Sequence, residues 1–176
     1  LSVSFLHGQM TPDVSPPAHL EQTIGLTQVT IDYARPHVNK RRIFGELIPF
    51  GQVWRTGANR ATRITFDESV IIGGRGIPPG TYSIYTLPDI KEWTWIINSD
   101  TTLWGARGYD ANKNVVQVTA SPEPLPERIA SMEFRWMNLT NQSADLVLEW
   151  EYTRVRLSVA FLTDEQVAAN ILRTLN

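Results

Sequence analysis

The stretch Ala144–Leu162, ADLVLEWEYTRVRLSVAFL, decides the fold. Leu146, Leu148 and Trp150 fall on even positions, whereas Val155, Leu157, Val159 and Phe161 fall on odd ones. Strand side chains alternate with a period of two, so a change of parity near Tyr152–Thr153 requires a tight hairpin or a bulge. Nineteen residues would also make an unusually long strand, which favours the hairpin.

Working outward, the same alternation recurs. Met132, Phe134 and Trp136 oppose Glu133 and Arg135, and Trp93, Trp95 and Ile97 share a face. Tyr82, Ile84 and Thr86 oppose Ser83, Tyr85 and Leu87, with Pro88 as the stop. Ile64 and Phe66 alternate with Arg63, Thr65 and Asp67 before the β-branched run Val70-Ile71-Ile72. Gly73-Gly74 and Pro78-Pro79-Gly80 are turn signals. QTIGLTQVTIDYA, Gln22–Ala34, reads as one strand whose inward face changes at a bulge or bend. VVQVTASPEP reads as a short strand, followed by EPLPE as a Pro-rich connection.

Short strands separated by Gly and Pro turns predict an all-β, mostly antiparallel fold: one β-sandwich of about eight strands over residues 22–162. Residues 1–21 read as an N-terminal arm or signal-peptide remnant. The apolar run in LSVSFLHGQ before a polar junction points to export, hence a periplasmic or extracellular location. Residues 163–176 read as a C-terminal α-helix. Thr163 is its expected cap, Gln166 completes a capping box, and Val167, Ile171, Leu172 and Leu175 form an apolar stripe for packing on the sandwich.

Composition narrows the function classes. A net charge of −2 supplies no basic field for nucleic acid. No apolar run is long enough for a membrane span. With no Cys, disulfides, thiolate metal sites and cysteine nucleophiles are excluded. His7, His19 and His37 lack metal-ligand spacing, so neither a metal nor a cofactor is expected. The basic residues are thirteen Arg against three Lys, a bias toward planar forks that grip carboxylates, phosphates and aromatic faces.

One long stretch resists regular structure: HVNKRRIFGELIPFGQVWRTGAN, His37–Asn59, with room for one helical turn near Ile43–Leu47. A structureless connection of this length inside a compact domain usually has a functional reason. Arg55 and Asn59 flank Thr56-Gly57-Ala58, small residues that allow close approach. Trp54 and Trp104 are the expected aromatic wall, and Arg42 and Tyr109 complete the candidate set. The alternative is that Arg55 and Asn59 satisfy buried carbonyls and only brace the loop. The reading is a non-catalytic module that binds a small polar molecule or saccharide. A structural or self-associating envelope protein, a homo-oligomer joined through the arm or the helix, is the alternative. A carboxylate-dependent hydrolase using a pair such as Glu149 and Glu151 is the third.

The series IDYARP, RRIFGELIPFGQVWRTGANRAT, PPGTYSIYTLP, EWTWIIN and LVLEWEYTRVRL resembles the bacterial family designated domain of unknown function 2911. The most specific piece is Val53-Trp54-Arg55-Thr56-Gly57-Ala58-Asn59. The resemblance implies a β-rich, exported protein and brings no activity. This chain carries Lys40-Arg41-Arg42 where many relatives have Gly-Arg-Lys, and Pro79 where Ala is preferred.

Overall fold

The computed structural model describes residues 11–175. The signal-peptide reading of residues 1–9 falls outside the described residues. Along the chain run β1 (Pro17–Ile24), β2 (Thr27–Ala34), β3 (Thr62–Phe66), β4 (Val70–Ile72), β5 (Arg75–Ile77), β6 (Gly80–Leu87), β7 (Trp93–Asn98), β8 (Asn114–Ala120), β9 (Glu123–Met137) and β10 (Ser143–Phe161), then α1 (Thr163–Thr174). Six strands form one sheet in the order β1-β2-β3-β6-β7-β8, and four form a second in the order β5-β4-β10-β9. All these strand pairs are antiparallel. The two sheets face one another across a single main core, the expected all-β sandwich. Val29, Ile31, Ile64, Ile84, Trp93 and Trp95 enter it from the larger sheet. Phe134, Leu146, Leu148, Trp150, Leu157 and Phe161 meet them from the smaller one.

β10 is an unbroken run of sheet-paired residues, yet it doubles back on itself. Ser158 donates a hydrogen bond to Asp145 at 2.6 Å across thirteen residues of chain. A straight strand would hold the two about 43 Å apart. Arg154 also reaches Glu149, and the Phe161 amide donates to the Gln142 carbonyl at 2.8 Å. The fold-back centres on Glu151, whose φ is +57°, with register shifts on either side. The parity change therefore marks a hairpin.

The first hairpin has the same signature. β1 and β2 pair from Pro17↔Ala34 to Ile24↔Thr27 around Gly25-Leu26. The single strand expected over 22–34 is thus two strands, and the stretch expected as an arm contributes Pro17 onward to the sheet. β9 likewise absorbs the EPLPE segment expected as a connection. Prolines are tolerated there because β9 is an edge strand. Part of its outer edge is closed by the chain leaving β2: the Val38 amide donates to Ala130 O at 2.8 Å and the Met132 amide to Pro36 O at 3.0 Å.

The helix departs from expectation in two ways. Thr163 does not cap it. Its hydroxyl donates to the Asn141 carbonyl, while Gln166 Nε2 donates to Thr27 Oγ1 at 3.1 Å. These bonds tie the helix start to the 138–142 loop and to the first residue of β2 instead of closing a capping box. The stripe expected to pack inward faces outward, with Val167, Ile171, Leu172 and Leu175 all exposed. Among the described residues, no helix is long and apolar enough to cross a membrane.

Candidate functional site

The irregular stretch is laid down from its buried half outward. Ile43 and Phe44 enter the core, and the expected helical turn is a closed loop in which Ile48 N donates to Ile43 O at 2.9 Å and Gly45 N to Ile48 O at 2.9 Å. Trp54 then pairs with Thr86 of β6 through two backbone bonds of 2.8 and 2.9 Å. Its ring stacks on Trp150 with centroids 5.9 Å apart, meets Phe44 and Trp93 edge-on, and is 5% exposed. Its Nε1 donates to Gly57 O at 3.1 Å. Trp54 is a core residue, so it is removed from the expected ligand wall.

Past Trp54 the backbone is held in a costly shape. Thr56 and Asn59 take φ of +55° and +60°, a region that side chains avoid unless their surroundings enforce it. Three buried threonines do so. Thr56 Oγ1 lies 3.1 Å from Thr86 Oγ1, Thr62 Oγ1 donates to Thr56 O at 2.7 Å, and Thr62 N donates to Arg55 O at 3.2 Å. The loop therefore stands fixed, with Asn59 exposed and Arg55 half-buried at its shoulder.

The loop between β7 and β8 approaches from the opposite side and is braced at its base. The Asp100 carboxylate accepts from Thr102 N at 3.0 Å, Thr102 Oγ1 at 2.6 Å and Lys113 Nζ at 2.7 Å. These bonds, led by Lys113, hold the Asp100 carboxyl far below the usual carboxylate range. Tyr109 and Asn114 exchange hydrogen bonds at 3.0 and 2.7 Å, and the Tyr109 ring meets buried Tyr85 at 5.1 Å. Beneath the loop, Ala61, Tyr85 and Ile96 form a second, smaller apolar cluster on the outer face of the larger sheet. Burial and then the Asp100 charge push the Tyr85 phenol up. On this propped loop Trp104 stands 70% exposed.

The two loops border an open concavity of about 290 Å³ lined by Arg55, Asn59, Trp104, Gly105, Ala106 and Arg107. A second, of about 300 Å³, opens on the other side of Asn59 and Trp104, with Asp32, Arg60 and Arg63 in its walls. Arg55 Nε is buried without a hydrogen-bond partner, and burial lowers the guanidinium's pKa. Neither Arg55 nor Arg107 makes a side-chain hydrogen bond or ion pair among the described residues. Gly105 takes φ of +86°, a conformation that favours glycine, and a Cβ there would rest in ordinary contact, 3.8 Å from Arg55 Nη1.

A polar row crosses the whole sheet beneath these openings. Its register runs His19↔Asp32, Asp32↔Arg63, Arg63↔Ser83, Ser83↔Asn98 and Asn98↔Asn114. His19 Nδ1 meets Asp32 at 2.8 Å, which raises the imidazole pKa. Arg63 lies 3.7 Å from the other Asp32 oxygen.

Of the residues expected at a site, Arg55, Asn59 and Trp104 are brought together. Tyr109 lies behind the loop as a prop. Arg42 is elsewhere, beside Phe50 and Tyr152 in a separate groove. Arg107 was missed, although its place three residues after Trp104 in a Gly-rich loop was a usable signal. The carboxylates offered for hydrolysis are already engaged. Glu149, 2% exposed, accepts from Arg135 at 2.8 Å and from Arg154, while Glu151 accepts from Ile43 N at 3.2 Å.

A family model described as "Protein of unknown function (DUF2911)" matches residues 15–159. The chain belongs to that family. Comparison with curated proteins and with solved structures gave no match.

Proposed function

We propose that this protein is a non-catalytic binding module whose site is the concavity between the 55–59 loop and the 99–113 loop. One observation carries the reading: Trp104 is 70% exposed on a loop already fixed by its own hydrogen bonds, beside a guanidinium that lacks a partner. Exposing a large aromatic costs solvation, and a rigid presentation removes the ordering cost of binding. Arg55 offers forked donors, Asn59 an amide and Trp104 a flat apolar face, a set suited to a small polar molecule such as a sugar. Titrating the full chain with a saccharide panel, followed by tryptophan fluorescence and calorimetry, tests it. Saturable binding that Trp104→Ala abolishes is expected, and binding unchanged by that substitution overturns the assignment.

Self-association is a second reading, favoured by the outward face of Val167, Ile171 and Leu175. Sedimentation should then show a concentration-dependent dimer that Ile171→Glu dissolves. A monomer at all concentrations excludes it.

A further inference from the structure

We infer that the ligand of this site is an anionic sugar, a ring bearing a carboxylate or a phosphate, with its oxyanion seated at Arg55 and Arg107 and its ring on Trp104. The inference rests on the binding reading above and adds the charge and orientation of the ligand.

The first support is the sign of the lining. The concavity carries two guanidinium groups, Arg55 and Arg107, and no carboxylate. The opening across Trp104 is mixed, because Asp13 and Asp32 accompany Arg60 and Arg63 there. The second is the state of Arg55. Its Nε is shut away from water with nothing to donate to. A half-buried cation without a counter-charge costs free energy in the empty protein, and an oxyanion at its outer Nη groups would offset that charge, although the enclosed Nε stays beyond a ligand's reach. Burial lowers its pKa and no carboxylate offsets that effect, unlike Arg156, which Glu123 raises. The third is the approach. Gly105 adds no side chain beside Arg55 Nη1 in the shared lining, where a Cβ would rest against it, which leaves room for a planar acceptor. The fourth is Trp104, which walls both openings. A bare inorganic anion would leave that face unused, whereas a sugar ring would cover it.

The test is calorimetry on the full chain with galacturonic acid, glucose 6-phosphate, galactose, glucose and inorganic phosphate. The acidic sugars should bind at least tenfold more tightly than the neutral ones, and the difference should shrink with added salt. Whichever acidic arm binds more tightly identifies the oxyanion. Arg55→Gln and Arg107→Gln should each reduce acidic-sugar affinity about tenfold, a larger loss than for any neutral sugar. Arg107 is exposed, so its variant remains informative if the Arg55 variant folds poorly. Neutral sugars that bind as tightly as acidic ones overturn this inference and leave the binding reading standing. Inorganic phosphate that binds as tightly as the sugar phosphate overturns the role given to the ring. Failure of every compound overturns both readings.

Discussion

Two groups of arginines in this molecule are used in opposite ways. On and beside the smaller sheet four guanidinium groups are matched to acids: Arg35 with Glu133, Arg135 and Arg154 with Glu149, Arg156 with Glu123. In the loops beside the larger sheet, whose Arg63 pairs with Asp32, Arg55 and Arg107 line an open concavity without one. The first arrangement is complete in itself and asks for nothing further. The second leaves donors unused in a concavity, which is how a protein keeps a site for a ligand that brings the charge. Arginine content alone distinguishes nothing, whereas the partners of each guanidinium do.

The contrast can be broken most severely through the two exceptional tryptophans. Trp54→Ala should cost about 3–5 kcal/mol, since it empties the centre of an aromatic cluster. Trp104→Ala should leave stability within about 0.5 kcal/mol while removing ligand binding. Chemical denaturation of both variants reads the difference, and comparable losses would erase the distinction between core and platform. Next comes Glu149→Gln, which leaves two guanidinium groups without their shared carboxylate. It should destabilise by about 2 kcal/mol, less than a fully buried pair because the arginines are partly exposed. Arg55→Met should act in the opposite direction, raising stability by about 1 kcal/mol in the absence of ligand. A loss there would mean that Arg55 braces the loop, as the alternative reading had it. The smallest effect concerns acid. The folded-state pKa of Asp100 is depressed, so its contribution is present above its unfolded pKa near 4 and is lost as pH falls through the folded value. The protection factor of the Thr102 amide should therefore drop in strong acid, and in Asp100→Asn at neutral pH. An unchanged factor in that variant would mean that the loop needs no brace.

Much of the sandwich was legible because alternation is a local signal. The switch from Trp150 to Val155 marked the final hairpin correctly. The equivalent switch between Ile24 and Thr27 is the same signal, since a two-residue turn also changes parity. There it passed for a bend, because Leu26 continued the apolar pattern through the turn. β9 was hidden by Pro124 and Pro126, which deny a strand only when both of its edges must be paired. The site was half legible. Small residues around Arg55 announced a close approach, but whether Trp54 or Trp104 faced outward depended on a backbone pair with Thr86 distant in sequence. The helix stripe was real in sequence, but the bonds that anchor α1 at its first turn leave the stripe turned toward solvent.

One junction bears on how the chain acquires this form. Gly25, in the first hairpin, sits so close to the Thr163 hydroxyl and the Asn141 carbonyl that a Cβ would collide with both. The earliest hairpin is thus locked by segments more than a hundred residues later in the chain. Loop closure over such separations is slow, and contacts between distant segments dominate folding time in all-β proteins. During synthesis, β1 and β2 must wait beside the ribosome without this lock until residues 141–163 emerge. Folding should therefore finish late and in one step, with Gly25→Ala slowing it and lowering the yield of native protein.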